Sequence, residues 1–166
     1  MVLPLRYVPD PLLGRRAQRI GRIDRSVKRL VESMLDTMRE NGGVGLAANQ
    51  VGSLQRVAVI QLPEEEPIVL INPRVTRREG EREVEEGCLS IPGYRGLVKR
   101  SARVHVRAQD LSGREVRIKA EGDLLAQALE HETDHLNGVL YIQRLASKDS
   151  FWKIEPGAEA EVAQPQ

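Results

Sequence analysis

Apolar residues first recur at helical spacing across residues 27–38. Val27, Leu30, Val31, Met34, Leu35 and Met38 follow one another in three- and four-residue steps, which makes one stripe along a helix. Asp24 or Ser26 can cap its start, and Asn41-Gly42-Gly43 ends it. The stripe is core packing, and its two methionines carry no chemistry. The period then shortens. Residues 56–62 and 67–72 are short β-rich runs, parted by a turn with Pro63 and three glutamates. Over 103–108 the pattern alternates, with Val104, Val106 and Ala108 on one face and Arg103, His105 and Arg107 on the other. Leu111-Ser112-Gly113 can turn this strand into a partner over 115–120. His105 therefore belongs to a polar strand face, outside any candidate site. After Gly122 a second helix begins, capped by Asp123 and stopped by Asn137-Gly138. Residues 1–24, with Pro4, Pro9, Pro11 and Gly14, read as an irregular arm, and beyond Lys148 the pattern fades. No internal repeat or domain boundary interrupts the chain.

Bulk properties narrow the class. At 166 residues one domain with one core is expected, and it needs no disulfide staples. Hydrophobic residues at 40% and charged residues at 30% suit a soluble globular chain. No run approaches the roughly 20 apolar residues of a membrane span, and no signal-peptide core opens the chain. A formal charge of +1 argues against a dedicated nucleic-acid binder. Basic residues do cluster at Arg15, Arg16, Arg19, Arg22, Arg25, Lys28 and Arg29, which reads first as a solvated face. The single cysteine, Cys88, rules out an intramolecular disulfide, and a reducing, cytoplasmic setting follows most simply.

The second helix contains His131-Glu132-Thr133-Asp134-His135. Histidines four apart share one helical face, so both imidazoles can reach one ion. Glu132 is turned about 100° from His131, which places a carboxylate beside the ion as a base for its water. Leu124 and Ala128 precede the histidines on the same face, while Leu125, Leu129 and Leu136 flank them as a buried helix requires. Catalytic sites of this kind use three protein ligands and leave a position for water. Glu155 and Cys88 are the candidates for the third. Glu155 stands before Pro156-Gly157 in a weakly patterned segment, whereas Cys88 offers a soft thiolate in Glu86-Gly87-Cys88-Leu89-Ser90. Spacing alone leaves an inert Cys88 open.

Three separated motifs, in order, carry a resemblance: Gly43-Val44-Gly45-Leu46-Ala47-Ala48-Asn49-Gln50, then Glu86-Gly87-Cys88-Leu89-Ser90, then His131-Glu132-Thr133-Asp134-His135. Together they resemble the bacterial-type peptide deformylases, enzymes that remove formyl from the N-terminal formylmethionine of new polypeptides. The resemblance runs from about Pro4 to Leu145. It implies an α+β fold, with antiparallel or mixed β-sheets around a central metal-binding helix and an amphipathic N-terminal helix. It implies one catalytic domain over 1–148 and a flexible tail over 149–166. Cys88, His131 and His135 would hold one divalent ion, ferrous iron by resemblance, with zinc fitting the same ligands and nickel or cobalt as substitutes. Glu132 would be general base and acid, and the Gln50 amide with the Leu89 backbone N–H would stabilise the oxyanion. Glu86 and Arg100 would form an ion pair behind the site, and Arg95 would help to hold the peptide.

The glycine-rich motif lacks the Lys-Ser/Thr ending of a phosphate loop. Gly43 and Gly45 would instead let an extended peptide pair beside Val44, and Glu86 and Gly87 would also belong to the substrate-binding residues. Val44, Leu124 and Ala128, with Val84, would line the methionine pocket. Two departures stand out. Glu130 occupies a place where the family often has Gln, and the long basic C-terminal helix of some members is missing, so ribosome docking is not assigned. The expected partners are N-formylmethionyl peptides and nascent chains, met by a monomer with no membrane or specific nucleic-acid contact. A metallopeptidase using Glu155, or a non-enzymatic metal module, would be the alternatives. Loss of metal on Cys88→Ala, and loss of turnover alone on Glu132→Ala, separate them from a deformylase.

Overall fold

The helical stripe forms α1, Arg25–Glu40, in the computed structural model, which describes residues 1–155. The Asp24 carboxylate accepts from the Ser26 and Val27 N–H groups at 3.0 and 3.1 Å. Such a cap contributes about 1 kcal/mol. Val27, Val31, Met34 and Met38 are buried and pack on Leu46, Val57 and Val59. These last belong to β1, Gly45–Ala47, and β2, Val57–Ile60. All four residues of β2 are buried because both its faces are covered. Val57 and Val59 meet α1, while Ala58 and Ile60 turn to the second helix, α2, Leu124–Leu136.

Strand β3, Ile68–Glu79, runs well past the expected residue 72. Asn72 at φ 53 and Pro73 stand within it. The register shifts between Ile71 and Arg74, and a bulge is where a sheet tolerates a proline without an N–H to donate. The alternating segment is β6, Arg103–Gln109, with Val104, Val106 and Ala108 buried, and its partner is β7, Glu115–Glu121. These strands form one sheet in the order β1-β2-β3-β6-β7.

A second sheet, in the order β4-β5-β8, was not expected from the pattern. It comprises β4, Arg82–Cys88, β5, Ile91–Arg100, and β8, Phe151–Lys153. Leu89 sits in the turn between β4 and β5. Strand β8 stands beyond Lys148, where the tail was expected to begin, and residues 156–166 of that tail lie outside the described residues. Every ladder between these strands is antiparallel, so the mixed alternative is not realised among them. Helix α2 lies between the sheets. The N-terminal arm is irregular, as expected, but tied down. The Ala17 N–H donates to the Leu136 carbonyl at 2.7 Å, and Asn72 brackets both backbone groups of Ile20 at 2.7 and 2.8 Å. Among the described residues no helix is long and apolar enough to cross a membrane.

Candidate metal centre

Helix α2 starts where Gly122 turns the chain at φ 64 and the Asp123 carboxylate accepts from the Ala126 N–H at 2.8 Å. It ends at Asn137 and at Gly138, φ 77. Every residue from Ala126 to Leu136 is buried, so each polar side chain between must find a partner inside the protein. Most do. Gln127 donates to the Glu85 carbonyl at 3.1 Å, and Thr133 to the Leu129 carbonyl at 2.7 Å. Glu130 accepts from the Ser101 N–H and hydroxyl at 2.6 and 2.9 Å and from Arg78 at 3.1 Å. Its added negative charge is thus spent away from the histidines. Asp134 accepts from Arg100 at 2.7 Å and from Arg144.

His131 and His135 face Cys88, the last residue of β4. The Cys88 Sγ lies 3.2 Å from His135 Nε2, which lies 3.2 Å from His131 Nε2. All three ligand atoms fall within 4.8 Å of one another. Bond lengths of about 2.0–2.1 Å to nitrogen and 2.3 Å to sulfur put tetrahedral ligands about 3–4 Å apart, so this donor set fits one divalent ion. Burial lowers the His135 pKa, helped by His131, and keeps that ring neutral and able to donate its lone pair. Burial pushes the Cys88 thiol up to about 12, with Glu132 and Glu86 adding to the shift. Binding a cation there must therefore displace the thiol proton. Glu155, the other candidate ligand, is exposed and stands outside the cluster.

His131 Nδ1 meets the Glu86 carboxylate at 2.7 Å, which points Nε2 towards the cluster. Arg100 holds Glu86 by two bonds at 2.7 and 2.8 Å. The pair predicted from the resemblance is thus one link in a chain from His131 through Glu86 and Arg100 to Asp134. This corrects the placing of Glu86 against the peptide, because it is fully buried with both oxygens engaged. Gly87 is buried at a register shift in the β4–β5 ladder, between Glu86 and Cys88.

Gln50 is buried beside the cluster. Its amide nitrogen lies 3.6 Å from Cys88 Sγ and donates to Ser90 Oγ at 3.1 Å, while its oxygen accepts from the Ala47 N–H at 3.0 Å. Glu132 differs from every other acid of α2. It is fully buried, and neither carboxylate oxygen has a hydrogen-bond partner among the described residues. Burial raises its pKa well above the usual carboxylate range, and Glu86 adds to this against the opposing charge of Arg100. A Cβ on Gly45 would stand 2.5 Å from Glu132 Oε2. The close approach that favours glycine at 45 is made by this carboxylate.

The remaining predicted positions divide. Val44, Ala128 and Leu124 pack in one cluster, but Ala128 has no exposed surface and underlies that wall. Val84 belongs to a separate cluster with Cys88 and Tyr141. The Gly43 N–H is engaged by the Met38 carbonyl at 2.9 Å, and the Val44 carbonyl by the Gln61 N–H at 2.7 Å. Arg95 is buried and donates to Glu85 at 3.1 Å, leaving two of its nitrogens without a partner. Sequence reasoning missed Asn49, whose side chain donates to the His135 carbonyl, and the supports Asp134, Arg144 and Ser101. Asp134 had a signal as a carboxylate inside the histidine motif, and Asn49 as a member of the glycine-rich motif.

Residues 2–151 match the family model described as polypeptide deformylase. A peptide deformylase of Dehalococcoides mccartyi (strain CBDB1) is 45% identical over 153 residues, 92% of this chain and 91% of that protein. One from Dictyoglomus turgidum is 44% identical over 151 residues, 91% and 97% of the two chains. Among solved structures, the peptide deformylase from Thermotoga maritima superposes with a TM-score of 0.85 at 37% identity, covering 89% of this chain and 99% of that one. The enzyme from Synechococcus elongatus in complex with actinonin gives 0.84 at 44% identity, covering 88% and 80%.

Proposed function

The chain belongs to the peptide deformylase family, and from that premise we propose how its residues divide the work. It is a metal-dependent hydrolase that removes the formyl group from the N-terminal formylmethionine of newly made polypeptides, releasing formate. Cys88, His131 and His135 hold one divalent ion, ferrous iron in the cell, with zinc, nickel or cobalt able to occupy the same soft, mixed donor set. Bound there, such an ion supplies Lewis acidity, lowering the pKa of water towards about 7 and polarising the formyl oxygen.

Glu132 takes the proton that attack on the formyl carbon releases, and returns it to the leaving amine. The observation that carries this reading is its buried carboxylate without a partner, in a helix whose other acids are engaged. Gln50 turns its amide, and Leu89 offers its N–H, to the oxygen on which charge builds. Donors of this kind are worth about 2.7–4 kcal/mol each. Strand β1 is an edge of its sheet, so an extended peptide can lie beside Val44 and Gly45. Val44, Leu124 and Val84 receive the methionine side chain above Ala128, and Arg95 steadies the peptide from β5. The enzyme works as a cytoplasmic monomer.

The test is formate release from a short formyl-Met peptide by reduced, metal-loaded protein. Glu132→Ala is expected to keep its metal and to lose about 10²–10⁴-fold in turnover. Absence of formate with ferrous, nickel, cobalt and zinc ions alike would overturn the reading.

A further inference from the structure

A concavity lies behind α2, on the side faced by Thr133 and Asn137. Residue 133 points about 200° around the helix from residue 131, so this cleft is turned away from the metal residues. Its volume is about 730 Å³, within the range of about 300–1,000 Å³ common for ligand sites. Arg16, Arg19, Arg56, Arg74, Arg78 and Arg107 line it, against one carboxylate, Glu115. The concentration is out of scale with a chain whose formal net charge is +1. Two of the six come from the basic N-terminal arm, and the others reach the same space from the start of β2, from β3 and from β6.

The fold leaves much of this charge uncompensated. Arg78 pairs with Glu130 and Arg107 with Glu115, but Arg16, Arg19 and Arg74 form no ion pair among the described residues. Arg56 is only 8% exposed. Its guanidinium donates to the Pro73 and Leu136 carbonyls, at 2.9–3.2 Å, and meets no carboxylate among the described residues. Burial and the neighbouring charge of Arg16 both lower its pKa. In the β3–β6 ladder Arg74 stands opposite Arg107, whereas Arg117, opposite Arg107 in the next ladder, shares Glu115 with it. Like charges directly opposite one another destabilise a sheet. An anion seated among these groups relieves the repulsion and supplies the buried guanidinium with a counter-charge. The planar fork of arginine matches phosphate oxygens in pairs, and several such forks around one open cleft suit several phosphates better than a single carboxylate.

We propose that this cleft is a second ligand site, taking a molecule with closely spaced phosphate groups, which Arg16, Arg19 and Arg74 grip above the buried charge of Arg56. A free oligophosphate and the backbone of single-stranded RNA share that chemistry. The site is separate from the residues that carry hydrolysis, so binding and turnover can be scored independently.

Titrate the full-length, metal-loaded protein at low salt with inorganic tripolyphosphate, and separately with a short fluorescein-labelled oligouridylate. At least one binds. The double variant R19E/R74E weakens it by more than about tenfold, and flattens its salt dependence by about one unit of slope per arginine when RNA is the probe. K28E/R29E makes the same charge change on the exposed face of α1, outside the cleft, and leaves binding within about twofold. Both variants keep full turnover on a short formyl-Met peptide, which reports the fold. If R19E/R74E melts early, R16Q/R19Q on the arm takes its place with the same expectation. Binding of tripolyphosphate alone assigns a free ligand. Binding of RNA alone, or RNA displaced by tripolyphosphate, assigns the backbone. No binding of either probe, or equal weakening by R19E/R74E and K28E/R29E, overturns the site.

Discussion

Two buried glutamates of the metal centre have their pKa values driven in opposite directions. Glu132 is pushed up by burial without a partner to offset it. Glu86 is as deeply buried, but its bonds from Arg100 and the charge of His131 overcome that burial and hold it at about 2. Groups driven apart in this way separate a proton carrier from a fixed charge. Glu86→Gln keeps the shape and removes the charge, leaving the Arg100 guanidinium facing an amide. Breaking such a buried pair costs about 3–5 kcal/mol, and disturbing a ligand's support lowers metal affinity about 10–100-fold. The sign of the pH effect follows from the depressed pKa. The stability that ionised Glu86 adds is fully present above its ordinary value of 4.5 and is lost as pH falls towards about 2. Urea melts of metal-free protein should therefore show a wild-type advantage over Glu86→Gln that is constant at neutral pH and shrinks across that acid window. An advantage unchanged down to pH 2 would mean that charge is not what Glu86 contributes.

At the scale of elements, the active centre depends on how closely β1 can approach α2. Gly45→Ala places a methyl 2.5 Å from Glu132 Oε2 and 2.9 Å from its Cδ, so the carboxylate must move. A displacement near 1 Å at a reacting group costs about 10²-fold in rate. The expected result is a fall in kcat of that order, with metal content and Cys88 ligation unchanged. A fall in metal content instead would place the damage at the ligands. Elements whose pattern is local were legible in the sequence. The stripe of α1, the alternation of β6 and the caps of α2 each need only neighbouring residues. Strands β4 and β5 hid for a physical reason. Arg82–Cys88 offers Val84 and Cys88 as its only apolar side chains, and Ile91–Arg100 contains Pro92, Gly93 and Gly96. Gly96 weakens strand propensity, yet the fold demands it, since a Cβ there would lie 2.7 Å from Leu145 Cδ2. The candidate site divides likewise. Its metal residues sit in short motifs, while Arg144 and Ser101 join the supports of α2 only through tertiary pairing. No local spacing encodes those contacts.

For the molecule as a whole, the open question is where the working unit ends. The sequence pattern fades at Lys148, but β8 continues the second sheet beyond it, with Gly96 opposite Phe151 and Arg95 opposite Trp152. The Leu97 N–H donates to the Ser150 carbonyl at 2.8 Å, and the Ile154 N–H to the Gly93 carbonyl at 2.9 Å. Phe151 stacks on Tyr94 with ring centroids 5.0 Å apart and leans on Tyr141 at 6.2 Å. Tyr141, buried, stacks in turn on His131 at 6.4 Å. The last strand thus braces the ring that backs a metal ligand. Ending the chain after Lys148 removes a half-buried Phe side chain, worth less than the roughly 1.5–3 kcal/mol of a fully buried one, and the aromatic pairs add about 0.5–1.5 kcal/mol each. It also uncovers the edge of β5 and one side of Tyr141. Such a protein should melt several degrees below a chain ending after Glu155 and lose its metal sooner on heating. Equal melting and equal metal retention by the two truncated chains would show that β8 is dispensable and that the tertiary support of His131 ends with Tyr141.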